Sequence, residues 1–515
     1  YYEAKNQYPN AFVFFRLGDF YELFGEDAVQ ASPILNITLT KRAGYPMCGV
    51  PHLQLYNYVS KMIRAGKKVA VCEQMEDPKL AKGLVKREVR QVLTPGTVTE
   101  ERLLESNSNN FLLAINKKGL IIEIAYLDLS TGDFEYDEIE YSSDLSILKG
   151  ELLRISPKEI IIPETVWNED KFIQATFNQL DSVLINKYDA ATFESKENLD
   201  FLLQHFGVKS VNELSSNPIQ TDFTTPAVLL QYVKENAKSF FGHIENITFH
   251  NKNTVMIFDE ATIRNLELLK NMADGSGSSS LLEILDKTVT PMGCRLIKKW
   301  IVEPLLNINS INNRLENVEF FIKNTSIMKS VLAELKNIMD LERLVSRFVM
   351  NKATPKDLIA LKNSLNSTHN VYNIIKDIQS LSQYTCNYLD LSELTELIEN
   401  AIKEEPATLP NEGDIVKEGY CQELDELNKI ATSAKQYLAE LEAKIKEETT
   451  ISNLRIKYNK IIGYYIEVSK GQSKLIDTNQ YLLRQNLVNV NRYTSKELSE
   501  YESKILTARE TINNM

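Results

Sequence analysis

The spacing of apolar positions changes period several times along the chain, and each change marks an element. Residues 12–15 form a short apolar run of strand character, and Gly18-Asp19 breaks it. From Phe20 onward Phe20, Leu23, Phe24, Ala28 and Ala31 fall at helical spacing. Asp19 stands where an N-cap belongs and Glu22 follows three residues later, so the pattern predicts a helix starting at Phe20. Residues 52–65 predict a second helix, 67–72 and 85–92 two strands, and Thr94-Pro95-Gly96-Thr97 a turn. The polar run 105–110 reads as a linker. Beyond it, 111–115, 120–129 and 132–136 predict a strand meander, turning at Lys117-Lys118-Gly119 and Ser130-Thr131-Gly132. Helical stretches then alternate with strands such as 159–162, the pattern of an α/β domain.

After residue 244 one short strand is predicted over 254–258, and 260–405 is almost wholly helical in pattern, with several long helices. Farther on, Leu424, Leu427, Ala431, Ala434, Leu438, Leu441 and Ile445 keep a 3-4 rhythm, a heptad seam. Leu498, Tyr501, Ile505, Ala508, Ile512 and Met515 repeat it. Between the two seams lie strand-like 454–458 and 463–469. Two helical arms that zip together around a small β-containing tip make an antiparallel stalk.

Length and composition narrow the class. At roughly 150 residues per domain, 515 residues make three or four domains. The 43% hydrophobic and 25% charged content is that of folded soluble protein. No apolar run reaches the ~20 residues of a membrane span. Five scattered cysteines without a C-x-x-C pair argue against a disulfide framework or zinc site and for a reducing, cytoplasmic compartment. The first residue is Tyr1 rather than Met, so the N-terminus is expected to be cut. Net charge is −12, yet residues 41–90 carry eleven Lys/Arg against four Asp/Glu, and 451–496 carry eight against two. Two basic islands on an acidic background suit a chain that touches a polyanion at two places; solvated surface is the alternative.

Several runs resemble one family in order. Phe15-Arg-Leu-Gly-Asp-Phe-Tyr-Glu-Leu-Phe24, Leu39-Thr-Lys-Arg42, Pro46-Met-Cys-Gly-Val-Pro51, Glu73-Gln74 and Thr94-Pro-Gly-Thr97 resemble the mismatch-binding domain of bacterial MutS. Leu281 to Gly293 with Arg295 and Trp300 resembles the MutS core. Gly463-Tyr-Tyr-Ile-Glu-Val-Ser469 and Arg484 to Tyr493 resemble its clamp. Two departures stand out: a short loop between Arg42 and Pro46, and Pro51-His52-Leu53-Gln54.

The resemblance implies a multidomain α/β plus all-α fold. Its parts would be a small mixed α/β mismatch-binding domain (1–106), an RNase H-like α/β connector (107–243), and a long-helix lever and core (244–420). A clamp (421–497) with antiparallel helical arms and a β-containing tip would follow, then a returning lever helix (498–515) that stops short of an ATPase domain. It implies Phe20 as a wedge stacked beside a mispaired base and Glu22 as a carboxylate hydrogen-bonded to it. The alternative is a core Phe at a helix start and a capping Glu. Lys41 and Arg42 are expected near DNA, and Lys457, Asn459, Lys470, Arg484, Asn486, Asn489 and Arg492 are candidates for backbone contact. Asn486 stands where the family commonly has Thr. Lys67 and Lys68 read equally well as surface lysines. The chain contains no G-x-x-x-x-G-K-[ST]; Ala65-Gly66-Lys67-Lys68 falls short of it, so no enzymatic activity is expected of these residues. No cofactor or metal is expected here, and ATP and Mg²⁺ are implied only for the ATPase domain. The implied partners are mismatched duplex DNA, MutL and a second copy of the chain. Two rivals remain: a metal-dependent nuclease using Asp128, otherwise a structural strand-end residue, and a coiled-coil DNA scaffold indifferent to mismatches.

Overall fold

The computed structural model describes residues 1–75, 85–180, 182–214, 222–237, 241–250, 254–408, 414–459, 463–477 and 480–514. The chain divides into two compact units, Tyr1–Ala353 with Asn363–Asp390 and Thr354–Lys362 with Leu391–Met515.

The first unit opens with a six-stranded sheet. Its strands are β1 (Phe12–Leu17), β2 (Phe20–Phe24), β3 (Thr40–Arg42), β4 (Tyr45–Pro51), β5 (Val69–Gln74) and β6 (Arg87–Leu93), in the order β3-β4-β2-β1-β5-β6. Helices Gly25–Leu35 and Leu55–Arg64 contribute Ala28, Ala31, Val59 and Met62 to a core with Phe14, Tyr21, Leu23 and Val50. On the opposite face the short helix Tyr2–Gln7, which the pattern did not predict, lends Ala4 to a smaller cluster around Val13, Ala70 and Cys72.

The helix expected from Phe20 is a strand instead; the helix begins at Gly25 and no side chain caps it. Leu17 pairs with Phe20 across a two-residue turn in which Gly18 takes φ +61°, a value costly for any residue with a Cβ. Once that hairpin closes, period two governs. Tyr21 and Leu23 enter the core while Phe20 stays on the other face.

A second sheet follows, with β7 (Leu112–Lys118), β8 (Ile121–Asp128), β9 (Asp133–Glu140), β10 (Glu159–Pro163), β11 (Leu184–Tyr188) and β12 (Thr248–Phe249). The order is β11-β10-β7-β8-β9-β12. The meander β7-β8-β9 is antiparallel, whereas β10, β11 and β12 join parallel to their neighbours. Both faces are apolar because both are covered. Val228, Leu229 and Tyr232 of helix Thr224–Ala237 pack on one, and Leu148, Leu152 and Ile173 on the other.

The expected strand over 254–258 shrinks to one bridge between Val255 and Leu305. Helices from Glu260–Asn265 to Pro355–Ile375 then dominate. Pro291 opens helix Pro291–Val302, where its missing N–H costs nothing, and the Thr290 hydroxyl accepts from Gly293 N at 3.1 Å. The polar run 105–110 is pinned rather than loose. Arg343 donates to the carbonyls of Glu105 (2.9 Å) and Ser108 (2.7 Å) and to Ser130 Oγ (3.1 Å). Arg295 pairs with Asp340 and Glu342 and reaches Ser106 O at 3.3 Å.

In the second unit, helices Gln422–Thr449 and Lys496–Asn514 flank a four-stranded antiparallel sheet of β13 (Arg455–Asn459), β14 (Gly463–Ser469), β15 (Tyr481–Asn486) and β16 (Val490–Ser495), ordered β13-β14-β16-β15. The arms run in opposite directions: Tyr437 stacks on Tyr501 at 3.9 Å, while Lys444, farther along its helix, meets the earlier Glu497. Of the seam positions, Leu441, Ile445 and Leu498 share one buried cluster and Ala508 is buried. Ala431, Ala434, Ile505 and Met515 lie outside the described side chains. Gly463 adopts φ +73°, and a Cβ there would overlap the Glu502 carboxylate.

Candidate nucleic-acid interface

The strand β2 presents two chemistries on one face. Phe20 is 49% exposed, unusual for an aromatic in a strand whose neighbours Tyr21 and Leu23 are at 2% and 0%. Glu22, two residues on, keeps only 12% of its side-chain surface, and its Oε2 lies 2.5 Å from Arg42 Nη1. The Arg42 side chain is itself 53% exposed. Arg42 reaches across because β3 and β4 form a hairpin with Ala43-Gly44 at its tip, both residues at positive φ, the geometry of a tight two-residue turn. Lys41 sits in the same edge strand, exposed. The four sequence-derived residues of the first unit therefore lie on β2 and β3, the two strands that flank β4, with Glu22 and Arg42 bonded to each other across it.

The backbone under Phe20 is held firmly. His52 N donates to Asp19 O at 2.9 Å, fixing the turn before Phe20. Tyr21 bonds Glu73 with its hydroxyl, and burial together with that bond raises its pKa well above the ordinary value. Arg16 lies 5.2 Å from the Tyr21 ring centre. Pattern reading gave no role to Tyr45 (56% exposed), at the start of β4, or to Leu53 (87% exposed), in the short helical turn His52–Gln54 after it.

In the second unit the candidate cations split into two groups. Lys457 and Arg492 converge on Glu467: Lys457 Nζ is 2.6 Å from Oε1 and Arg492 Nε is 3.5 Å from Oε2. Arg492 also stacks over Tyr465 at 4.4 Å and donates to Gln485 Oε1 at 2.9 Å. Asn459 ends β13, half-buried. By contrast Arg484, Lys470, Asn486 and Asn489 are exposed. Lys470 N bonds Asn489 O at 3.1 Å, which brings those two turns together. Arg484 is the extra residue of a β-bulge: Leu483 pairs with Tyr493 and Gln485 with Arg492, and Arg484 is skipped. A bulge re-aims its side chain, and this one sits on the edge strand β15.

Two other sequence features take structural roles. Asp128 is fully buried and its oxygens accept from Asn109 Nδ2 (3.1 Å), Asn110 N (2.9 Å), Ser130 N (2.9 Å) and Ser130 Oγ (2.6 Å). Its hydrogen-bonding capacity is spent on holding two loops. The segment Ala65–Lys68 does not fit a phosphate loop. Gly66 turns at φ +68° against the backbone of Ser182, and Lys68 is not a surface lysine but half-buried, donating to Asn236 Oδ1 at 2.8 Å. No helix among the described residues is long and apolar enough to cross a membrane.

Comparison with known proteins agrees over nearly the whole chain. The family models described as MutS domain I, MutS domain II and MutS domain III match residues 1–102, 110–245 and 261–495. The DNA mismatch repair protein MutS of Alkaliphilus oremlandii is 42% identical over 522 aligned residues, covering 99% of this chain and 59% of that protein. Proteins of the same name from Acetivibrio thermocellus and Methanosarcina acetivorans are 37% and 35% identical with the same coverage. The chain thus spans about three-fifths of the length of these relatives. With three consecutive domain models and these relatives in agreement, the chain belongs to the MutS family.

Proposed function

We propose that this chain recognises mispaired or unpaired bases in double-stranded DNA and so initiates mismatch repair. The observation that carries the reading is Phe20: an aromatic held half-exposed on a rigid strand beside a carboxylate, in a chain whose relatives are named for mismatch repair. Inserting an aromatic ring between base steps costs a few kcal/mol of unstacking, and less where pairing is already poor. Kinking is likewise cheaper at a weakened step, so the protein reads the softness of the duplex rather than its sequence. Glu22 near phosphates penalises sound duplex, and a mispaired base offering a hydrogen bond offsets the penalty. Arg42 tempers that repulsion by neutralising the carboxylate in the free protein. Lys41 and the exposed Arg484, Lys470, Asn486 and Asn489 hold phosphates without reading bases. Lys457, Asn459 and Arg492 support that surface, the two cations being engaged by Glu467 until DNA competes for them.

On the family reading, residues 1–106 are the mismatch reader, 107–243 a connector that docks MutL, 244–420 with 498–515 the lever, and 421–497 the clamp. The whole protein would act as a homodimer and couple recognition to ATP hydrolysis. The test is fluorescence anisotropy on matched and G·T-mismatched duplexes at fixed salt. Preference for the mismatch, lost in Phe20→Ala, supports the reading. Equal binding of both duplexes, unchanged by Phe20→Ala, would return the chain to the scaffold reading.

A further inference from the structure

A large cleft of the first unit shares no lining residue with the Phe20 strand. It is open to solvent, with a volume of about 1230 Å³, and is lined by five cationic side chains: Arg64, Lys158, Arg264, Lys270 and Lys298. Two carboxylates, Glu105 and Glu260, also line it, leaving the wall at +3 on a chain of formal charge −12. Among the described residues none of the five cations makes an ion pair or side-chain hydrogen bond. Elsewhere in this unit buried cations are paired: Arg295 with Asp340 and Glu342, Arg154 with Glu151 and Glu303, Lys117 with Asp170. Arg64, Arg264 and Lys270 are exposed and Lys158 and Lys298 half-buried, so the cost of holding a cation out of water without a partner falls on Lys298 and, in part, on Lys158.

Lys298 is the sharpest case. It follows Cys294 by one turn on helix Pro291–Val302, and both line the cavity. Burial, with Lys158 and Lys270 as neighbouring like charges, pulls its ammonium below the ordinary lysine range. Glu105, the nearest carboxylate to offset it, already accepts from Ser108 Oγ at 2.9 Å. Half-buried Lys298 and Lys158, with exposed Lys270 lining the same cleft, put like charges together, and an anion of several charges would relieve their repulsion. Apolar Leu152, Leu180 and Val183 on the same wall suit an organic portion beside the charge. The volume, about 1230 Å³, lies just above the roughly 300–1,000 Å³ of small-molecule pockets, so a ligand of that class fits with room to spare.

We propose that this cavity binds a small molecule carrying two or more phosphates, held by Lys158, Lys270 and Lys298. This site goes beyond the DNA-binding reading and stands without it. The test is calorimetric titration of the 515-residue chain with inorganic tripolyphosphate, with sulfate at matched ionic strength as control. Saturable binding that weakens as salt rises is expected. Lys298→Met should lower the affinity at least about tenfold, the worth of one charge-assisted contact. The same change should raise Tm of the ligand-free chain, because it removes a repelled, dehydrated charge; a purely structural lysine would do the opposite. Should Lys298→Met fail to fold, Lys158→Gln at the half-buried rim reports the same loss of affinity. Absence of saturable heat, equal heat from sulfate, or affinity untouched by either variant overturns the proposal. So does tighter, Lys298-dependent binding of a single-stranded oligonucleotide that excludes tripolyphosphate, which would make the cavity a nucleic-acid path.

Discussion

The pair of Glu22 and Arg42 supports a prediction whose sign depends on which partner is removed. Two unit charges about 4 Å apart attract by about 4 kcal/mol at the effective dielectric of a protein surface, before desolvation is subtracted. The two partners stand in different solvents: Glu22 keeps 12% of its side-chain surface and Arg42 keeps 53%. Removing Arg42 leaves a nearly buried carboxylate uncompensated, which costs 3–5 kcal/mol in a dry interior (order of magnitude). Water admitted through the half-open arginine site lowers that to about 2 kcal/mol. Removing the charge of Glu22 leaves a guanidinium that water already reaches, and exposed pairs are worth roughly 0.2–1 kcal/mol. Arg42→Ala should therefore destabilise the first unit by about 2 kcal/mol and Glu22→Gln by less than about 1 kcal/mol. The double variant should resemble Glu22→Gln, with a coupling energy of about 1–2 kcal/mol. Urea unfolding of the four proteins at neutral pH closes the cycle. Glu22→Gln should also tighten binding to matched duplex, by removing a charge that repels phosphate. Equal costs for the two single changes, or strict additivity, would refute the idea that Arg42 serves to neutralise Glu22.

Other consequences can be checked separately. Gly463→Ala meets both the Glu502 carboxylate and an unfavourable φ, so urea unfolding of the second unit should show a loss of about 3 kcal/mol or more, partly restored by adding Glu502→Ala. Arg343→Met leaves the Glu105 and Ser108 carbonyls without their donor, and thermal melts of the first unit should show a loss of about 2–4 kcal/mol. Burial pushes the Glu303 carboxyl up, but His250, Arg154 and Lys299 outweigh it and hold the pKa at about 2 against an ordinary 4.5. A depressed folded-state value stabilises above the unfolded pKa, so this contribution is full above about pH 4.5 and lost as pH falls towards 2. Glu303→Gln should flatten that acid limb in a series of melts, and an unchanged limb would remove Glu303 from the account.

How much of this could be read from residues depended on the range of the forces involved. The meander β7-β8-β9 was legible because apolar runs and Gly-containing turns are local signals. Residues 20–24 were not: Phe20, Leu23 and Phe24 satisfy a helical period, while Tyr21 and Leu23 satisfy a strand period. Five residues cannot separate the two without the partner strand β4. The helix Tyr2–Gln7 was invisible for a similar reason, since six residues gain order only from the sheet beneath them. Phe20 and Glu22 were found through a motif, but the bond from Arg42 spans twenty positions and no local pattern encodes it. The sharing of Glu467 by Lys457 and Arg492 is likewise a product of cross-strand register. Of the five cavity cations, only Arg64 fell in a basic island; the other four, from residue 158 to residue 298, carried no sequence signal.

The bulge at Arg484 has a further effect on how the protein behaves at high concentration. β15 is an open edge, and Leu482 and Leu483 on it are 63% and 53% exposed. A flat strand of that kind is a template onto which a strand of another molecule can add. The skipped residue breaks the ladder in the middle and plants a charge at the break, so a second chain finds no continuous register to follow. A side chain proposed to meet phosphate thereby also guards solubility. Deleting Arg484, which would straighten the strand, should promote self-association of the tip even where DNA is absent.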